Sequence, residues 1–195
     1  AKAKLGMDDG RPLIVSFWGS LGAASMNRQM ADFLALEVKE RKFHHVHGAG
    51  VVGSRQMNEY LGGAGVDLSA AAEIEVREYI SDMGTLMRAA DLVISRAGAS
   101  TISELTALGV PAIIVPSPNV ANNHQEYNAR VLSDAGGAVL ILEKDCSGKL
   151  LYETACAVLE DSERHKAMRD AMASLGTVDA ARQIYDAVMA LCRKR

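Results

Sequence analysis

The sequence predicts an α/β fold in which helices cover both faces of a doubly wound parallel sheet of six strands. Short apolar runs that end at glycine or proline alternate with longer amphipathic segments along almost the whole chain. This alternation is typical of parallel strands joined by helical crossovers. The chain has 195 residues, of which 49% are hydrophobic and 23% charged, which suits a single domain over residues 1–195 with a sizeable core.

Each strand is predicted from an apolar run, and each helix from apolar residues at helical spacing. The first strand, 13–17, follows Pro12, and in 73–78 the alternation puts Ile74 and Val76 inward. The other strands are expected at 43–47, 92–95, 112–115 and 138–142, and the helices at 23–40, 54–61, 82–88, 101–108, 124–135, 147–160, 163–174 and 178–191.

Composition excludes several classes of protein. The formal net charge is −3 and the isoelectric point is near 6.0, so no strongly basic surface indicates a nucleic-acid partner. No apolar run approaches the roughly 18 residues that cross a bilayer, and residues 1–11 lack the apolar core of a signal peptide. Cys146, Cys156 and Cys192 are odd in number and lack metal-ligand spacing, which indicates reduced thiols in a cytoplasm.

The junction after the first strand is a glycine turn, Gly-Ser-Leu-Gly at 19–22, that opens a helix. In an open parallel sheet, ligands bind beyond the carboxyl ends of the strands, and a helix start suits a phosphate. A tight turn without a ligand explains these glycines equally well.

The dinucleotide fingerprint is excluded, because the second strand ends His47-Gly48 without an acidic residue. A Gly-Lys-Ser/Thr loop is absent, and Trp18 stands where the hydrolase elbow has its first glycine.

The junction after the fourth strand carries glycine, small residues and hydroxyl groups over 95–104. Ser100 and Thr101 can donate hydrogen bonds to phosphate oxygens, and Glu104 offers two acceptor oxygens for the vicinal hydroxyls of a ribose. The alternative is that Thr101 and Glu104 form a capping box at a helix start. Taken alone, this segment favours the capping box.

A run of amides follows the fifth strand at 119–128, with one imidazole at its centre. Such groups suit the hydroxyls of a sugar, and Gln125 lies in the first turn of the next predicted helix, at a strand end separate from the two phosphate-suited junctions. The alternative is that Asn122 or Asn123 only caps that helix.

Three histidines in the second strand could suggest a metal site. His44 and His45 face opposite sides of a strand, and neither a cysteine nor a carboxylate nearby completes a ligand set with His47. Structural histidines are therefore favoured, and no metal site is predicted.

Five segments together resemble the C-terminal, donor-binding domain of the MurG family. These bacterial transferases add N-acetylglucosamine to a lipid-linked muramoyl-pentapeptide, converting lipid I to lipid II. The segments are WGSLGA at 18–23, YISDM at 79–83, RAGASTISE at 96–104, PAIIVP at 111–116 and HQEYNA at 124–129. They occur in the family's order and spacing between about residues 13 and 143. Trp18 departs from the family pattern, which has glycine there, and this departure bears on how closely a ligand can approach the backbone.

The resemblance implies a role for each matching residue. Ser20 and the loop residues Gly19, Leu21 and Gly22 would meet the donor diphosphate, and Ile80 would hold uracil through its backbone, with Tyr79 and Met83 beside it. Ala99, Ser100 and Thr101 would line a phosphate cradle, and Glu104 would bind the ribose. Gln125 with His124 would bind the glucosamine hydroxyls, and Asn128 would support that helix end.

The resemblance also implies the C-terminal, Rossmann-like half of a GT-B glycosyltransferase that needs no cofactor. The donor would be UDP-GlcNAc, and the membrane contact, the lipid-linked acceptor and the catalytic base would belong to a preceding N-terminal domain that this chain lacks. The chain by itself is therefore expected to bind donor without turnover, and the parent protein to act at the cytoplasmic face of the bacterial inner membrane. A glycolipid synthase, a UDP-GlcNAc 2-epimerase and a non-catalytic nucleotide-sugar or partner-binding module stay open as alternatives.

Overall fold

The sheet has six parallel strands in the order β3-β2-β1-β4-β5-β6. The computed structural model describes residues 2–19 and 22–192, apart from the side chains of Val52 and Ala70. The strands are β1 (Leu13–Phe17), β2 (His44–Gly48), β3 (Ile74–Arg77), β4 (Leu92–Ser95), β5 (Ala112–Ile114) and β6 (Ala138–Leu140). The predicted α/β class with a six-stranded, doubly wound parallel sheet is confirmed.

Helices connect the strands and complete the chain. They are α1 (Ala24–Glu40), α2 (Val51–Gly63), α3 (Met83–Ala89), α4 (Ala99–Leu108), α5 (His124–Asp134), α6 (Gly148–Leu159), α7 (Ser162–Leu175) and α8 (Ala180–Cys192). Short 3-10 turns lie at Lys2–Leu5, Leu68–Ala70, Ala121–Asn123 and Glu143–Asp145. Among the helices that the structure describes, none is long and apolar enough to cross a membrane.

The strand order reverses at β1, which lies between β2 and β4. Val15 pairs with Val46 on one side and with Val93 on the other. Right-handed crossovers on the two sides of such a strand carry their helices to opposite faces of the sheet. A crevice therefore opens between the start of α1 and the start of α4, beyond the carboxyl end of β1.

Both faces of the sheet are buried, which explains why its central strands have continuous apolar runs. Ile14 and Phe33 belong to the core between the sheet and helices that include α1 and α6. Leu13, Val15 and Leu105 belong to the core on the opposite face. Alternate residues of β1 thus point into different cores, as the two-residue period of a strand requires.

Several predicted boundaries differ from the observed ones, most of them by one to three residues. The strand predicted at 43–47 is shifted by one residue, since β2 is His44–Gly48, and β6 ends at Leu140 rather than at 142. The helix predicted at 54–61 is longer, because α2 begins directly after Gly50, whose φ of +79° turns the chain into the helix. The helix predicted from 101 begins at Ala99, with Gly98 as its N-cap.

The three histidines of β2 divide as the strand period requires. His44 donates from Nε2 to Oδ1 of Asp9 on one face (2.9 Å), whereas His45 and His47 are fully buried on the other. Among residues 2–19 and 22–192, no group of three or more His, Cys, Asp and Glu side chains could hold a metal ion. Cys146, Cys156 and Cys192 are all free thiols.

Glu37 on α1 is a buried carboxyl group that the apolar spacing does not predict. Its side chain is fully buried, and Oε1 accepts a hydrogen bond from the backbone N–H of Phe43 at 2.7 Å. Burial raises the pKa of Glu37 from 4.5 to about 7. Between pH 4.5 and pH 7, Glu37 is therefore protonated more often in the folded state than in the unfolded state. The group therefore stabilises the fold fully below about pH 4.5, and this contribution is lost as the pH rises through 7.

We expect Glu37→Gln to remove this pH dependence, because glutamine keeps an acceptor for the Phe43 N–H and carries no charge. The difference in free energy of unfolding between the variant and wild type should be roughly 2–3 kcal/mol more favourable to the variant at pH 8 than at pH 5. Urea denaturation at both pH values measures this change. Glu40→Gln, at the exposed end of the same helix, is the matched control. A difference between Glu37→Gln and wild type that is equal at both pH values would contradict the prediction.

Candidate ligand site at the carboxyl edge of the sheet

Three adjoining cavities follow the carboxyl edge of the sheet. We call them the apolar cleft, beyond β2 and β3 (about 210 Å³), the glycine cradle, beyond β1 and β4 (about 310 Å³), and the outer pocket, beyond β5 and β6 (about 570 Å³). Phe17 and Gly19 line both the cleft and the cradle, and Ser117 lines both the cradle and the outer pocket. The three spaces therefore form one groove across the strand-reversal point, where ligands bind in this class of sheet.

Two glycines of the first turn have backbone conformations that other residues rarely adopt. Gly19 has φ of +89° and Gly22 has φ of +73°. At Gly22 there is also no room for a side chain, because a Cβ atom would overlap the carbonyl oxygen of Ala49. Gly22 is therefore packed directly on the turn after β2, where it lines the cradle. Ser20 and Leu21, which the resemblance assigns to the diphosphate, lie outside the described residues.

The helices that begin at the cradle lack side-chain caps. The N-cap of α1 is Ala23 and that of α4 is Gly98, and neither makes a side-chain cap hydrogen bond. In contrast, Ser147 caps α6 and Asp161 caps α7. The first-turn N–H groups of a helix need partners, and uncapped helix starts carry partial positive charge. Two such starts at one cavity make it suitable for an anion.

Ser100 and Thr101 line the cradle. Because α4 begins at Ala99, Thr101 occupies the third position of the helix rather than its N-cap. The capping-box alternative, in which Thr101 caps the helix and Glu104 bonds back to it, is therefore wrong. Glu104 lies exposed one turn further on. Ala99 is exposed at the helix start and is not among the residues that line the cradle.

The floor of the apolar cleft is tightly packed at Gly48. A Cβ atom at Gly48 would lie 3.1 Å from Cδ1 of Ile80 and 3.5 Å from Cβ of Phe17. Ile80 is 6% exposed, whereas Tyr79 is 65% exposed at the rim, and Met83 completes the apolar wall. The structure thus brings together the three residues that the resemblance assigns to a nucleobase.

Gln125 lies in the cradle rather than in a separate region. Its Oε1 accepts a hydrogen bond from the backbone N–H of Ser117 at 2.9 Å, which orients the amide. Its NH₂ group makes no hydrogen bond with the described residues, so two donors remain available to a ligand. The expectation that Gln125 stands apart from the phosphate-suited junctions is wrong, because it shares one cavity with Gly19 and Thr101.

The other two residues of that segment have supporting positions. His124 is exposed, and its Nδ1 donates to the carbonyl oxygen of Ala121 at 2.9 Å. Asn128 donates from Nδ2 to the carbonyl oxygen of Ala97 at 3.2 Å. This bond ties α5 to the loop that leads into α4. Asn123 does occupy the N-cap position of α5, as the capping alternative predicts. Its side chain, however, makes no capping hydrogen bond and donates instead to Glu126.

The outer pocket is polar and carries charge of both signs. Glu126, Glu143 and Lys144 line it. Hydrogen bonds from Asn123 and Arg130 lower the pKa of Glu126, so its carboxylate stays ionised at neutral pH. These groups suit the hydroxyls of a sugar or acceptor better than a second phosphate.

Arg96 and Trp18 belong to the cradle although residue-by-residue analysis gives them no role. The Arg96 guanidinium donates to the carbonyl oxygens of Val115 and Pro116 and pairs with Glu143 at 2.7 Å. It lies 6.0 Å from the centre of the Trp18 ring, which is 5% exposed. In the sequence, these contacts of Arg96 are indicated only by the position of an arginine directly after a buried strand. The indole of Trp18 packs in the core and forms one wall of the cradle, so most of the side chain lies in the core rather than in the cavity.

Comparisons with known proteins agree with this geometry. The family model for the glycosyltransferase family 28 C-terminal domain matches residues 13–184. A relative from Desulforudis audaxviator, named UDP-N-acetylglucosamine–N-acetylmuramyl-(pentapeptide) pyrophosphoryl-undecaprenol N-acetylglucosamine transferase, is 40% identical over 194 residues. The match covers 100% of this chain and 52% of the relative, so the chain spans about half the length of the curated relatives it matches.

Solved structures show the same fold. Acinetobacter baumannii MurG superposes with a TM-score of 0.77 at 24% identity, covering 93% of this chain and 53% of that protein. A UDP-GlcNAc 2-epimerase from Neisseria meningitidis, solved with UDP-GlcNAc bound, superposes with a TM-score of 0.65 at 15% identity, covering 96% and 47%. Because the family model spans most of the sequence, including every strand and the groove at their carboxyl ends, this chain belongs to the glycosyltransferase family 28 C-terminal domain family.

Proposed function

We propose that this chain is the UDP-N-acetylglucosamine-binding half of an inverting glycosyltransferase that converts lipid I to lipid II in peptidoglycan synthesis. The observation that carries the proposal is the convergence of two uncapped helix starts on the glycine cradle. Their free N–H groups and partial positive charge would bind the donor diphosphate without a metal or cofactor. The relatives at 36–40% identity, all named as N-acetylglucosamine transferases, support the choice of reaction.

In this proposal, each part of the donor would lie in a part of the groove whose chemistry suits it. The apolar cleft between Gly48 and Ile80 would hold the uracil ring, and Tyr79 would cover it at the rim. Glu104, one turn into α4, would accept hydrogen bonds from the ribose hydroxyls. The glucosamine would lie at Gln125 and extend toward the outer pocket, with His124 at the same helix start.

We further propose that transfer needs a preceding domain that binds the lipid-linked acceptor and supplies the base. An inverting transferase needs a base within hydrogen-bond reach of the acceptor hydroxyl. Such a protein would work at the cytoplasmic face of the bacterial inner membrane, with its membrane contact made through that other domain. The proposal includes no nucleic-acid partner.

The first experiment is calorimetry of the chain with UDP and UDP-GlcNAc, followed by a product assay. We expect binding of both and no turnover of UDP-GlcNAc by the chain alone. An absence of UDP binding at millimolar concentration would reject the proposed site. Release of UDP with formation of N-acetylmannosamine would instead identify an epimerase, and transfer by the chain alone would place the base within it.

Gly98→Ala should fold normally and bind UDP weakly. The Gly98 backbone has φ of −67°, which alanine adopts freely, and an added Cβ would meet only Oγ1 of Thr101, at 3.8 Å. Stability should therefore change by less than about 1 kcal/mol. The methyl group would occupy space where the diphosphate approaches the α4 N–H groups, so affinity for UDP should decrease roughly tenfold or more. Gly62→Ala, an open position on α2, is the control. Unchanged UDP affinity in folded Gly98→Ala would remove the diphosphate from the cradle.

Glu104→Gln should weaken UDP roughly fivefold, because a charge-assisted hydrogen bond to the ribose becomes a neutral one. Isothermal titration with UDP and with 2′-deoxy-UDP tests the partner directly, since removal of the 2′-hydroxyl should shrink the difference between variant and wild type. Glu153→Gln on α6 controls for the loss of one surface charge. Equal affinities of wild type and Glu104→Gln for UDP would show that Glu104 does not bind the ribose.

Gln125→Glu should weaken UDP-GlcNAc more than UDP. Glutamate keeps an acceptor for the Ser117 N–H but replaces the free amide donors with negative charge. We expect a roughly tenfold loss for UDP-GlcNAc and a roughly threefold loss for UDP, which senses the new charge beside its phosphates. Gln56→Glu, an exposed position on α2, is the matched control. Losses of the same size for both ligands would place Gln125 at the diphosphate rather than at the sugar.

A further inference from the structure

A chain of buried hydrogen bonds connects the centre of the sheet to the floor of the glycine cradle. Oγ of Ser16 on β1 lies 2.7 Å from Nε2 of His45 and 2.8 Å from Nδ1 of His47. Nε2 of His47 lies 3.2 Å from Oδ1 of Asn27 on α1. Nδ2 of Asn27 donates to the carbonyl oxygen of Ala49 at 2.9 Å. All four side chains are fully buried, and water is thereby excluded from every bond.

The direction of each bond follows from its last acceptor. The Ala49 carbonyl can only accept, so the NH₂ group of Asn27 points to it and Oδ1 points back to His47. His47 must then carry its proton on Nε2, which leaves Nδ1 as an acceptor for the Ser16 hydroxyl. The hydroxyl has one proton, so its oxygen accepts from Nε2 of His45. This places a lone pair on Nδ1 of His45, and that atom is buried without a hydrogen-bond partner, as the direction requires.

The end of this chain is the atom on which the cradle is packed. The Ala49 carbonyl oxygen is the group that a Cβ at Gly22 would overlap, so any displacement of Ala49 is transmitted to the turn after β1. Asn27 is similarly enclosed, because a Cβ at Gly53 in the first turn of α2 would overlap its Nδ2 atom. The bonded chain therefore holds two neighbouring strand-to-helix turns in one arrangement.

We propose that Ser16, His45 and His47 are positioning residues for donor binding, acting through Asn27 and Ala49 on the Gly22 turn. The identity of the ligand in this proposal rests on the proposed function. The orientation of the hydrogen bonds is independent of that function. If Ser16 loses its hydroxyl, Nδ1 of His47 and the Nε2–H group of His45 both lose their buried partner. Buried polar groups without partners are costly, and a shift of the His47 ring that relieves this cost would strain its bond to Oδ1 of Asn27 and loosen the Asn27 donor at Ala49.

The wild-type chain supplies the first test. Nitrogen-15 spectra of the imidazole rings should show His45 and His47 as neutral Nε2–H tautomers at pH 7. His44, which bonds to Asp9 on the other face, serves as the internal reference in the same spectrum. A His47 ring with its proton on Nδ1 would overturn the proposal, because the bonded chain would then run in the opposite direction.

The second test compares two variants at Ser16 on β1 with a control variant at His44, a buried residue on the neighbouring strand β2. Ser16→Ala should weaken UDP roughly tenfold, and Ser16→Cys, whose thiol is a weaker donor, should give an intermediate loss. His44→Ala should lower the stability of the sheet without changing UDP affinity. The only tryptophan, Trp18, lines the cradle and packs edge-on against His47 with ring centres 6.3 Å apart, so its fluorescence reports binding. Equal losses of UDP affinity in Ser16→Ala and His44→Ala would show a merely structural role and overturn the proposal.

Hydrogen exchange separates this proposal from the proposed function. In Ser16→Ala without ligand, the amides of Gly22 and Gly50 should exchange at least tenfold faster than in wild type, while those of β6 stay unchanged. The Gly22 amide donates to the carbonyl of Gly19 within the turn after β1, and the Gly50 amide donates to the carbonyl of Glu78, which follows β3. Unchanged exchange at both would overturn the positioning role even if UDP binds. If the wild-type chain does not bind UDP but Ser16→Ala shows the expected faster exchange, the proposed ligand is rejected. The role of the bonded chain in holding the turns is then retained.

Discussion

The position of β1 between β2 and β4 is the constraint on which the rest of the structure depends. It sends α1 and α4 to opposite faces of the sheet, so their N-termini meet across a crevice rather than packing side by side. Gly22 can then lie against the Ala49 carbonyl, and Gly98 can open α4 beside it. Without the reversal, both helix starts would lie on one face, and no cavity would receive partial positive charge from two of them.

The two helices that begin at the cradle have no side-chain caps for the N–H groups of their first turns. A side-chain cap at Ala23 or Gly98 would stabilise α1 or α4 by about 1 kcal/mol, but it would occupy the N–H groups that an anion needs. The two helices are held instead by burial, with Met26, Met30 and Phe33 in the core on one face and Leu105 on the other. Binding at the cradle would supply the missing partners and stabilise the folded state by mass action.

This arrangement also explains where sequence-based reasoning succeeds. The strands are predicted well because a parallel strand buried on both faces is apolar at most of its positions, and β1 and β4 are placed at their observed bounds. The motif segments at 79–83 and 96–104 fall on strand-to-helix junctions, where loops at the surface accept the polar and small residues that a buried strand excludes. Fold class and the location of the groove are therefore accessible from pattern alone.

The same reasoning fails where the structure departs from local rules. Capping rules place the start of α4 at Thr101, whereas the helix begins at Ala99 without a cap. Because the N-cap of α4 is Gly98, the helix lacks the polar side chain by which its start would be recognised in the sequence. Gln125 is misplaced for a related reason: its cavity depends on the bond to Ser117, which joins two segments that have no shared periodicity.

Buried polar groups were the least predictable feature, and they set opposite pH limits on the fold. Burial lowers the pKa of His47 to about 4 and that of His45 well below its usual value, so both rings are neutral in the folded protein. Their contribution is fully present above the unfolded pKa of about 6.5 and is lost as the pH falls toward 4. Glu37 has the opposite sign, because its raised pKa penalises the folded state as the pH rises through 7.

The two effects leave a window, roughly pH 5 to 7, in which the histidines and Glu37 are all neutral in the folded protein. Within it the interior of the sheet carries polar groups without net charge, which is the condition for hydrogen bonds with defined direction in a water-excluded core. Placing imidazole and hydroxyl groups beneath the cradle has a cost in desolvation that apolar residues would avoid. What they add is a fixed orientation for the Ala49 carbonyl, and through it a fixed position for Gly22 at the wall of the cradle.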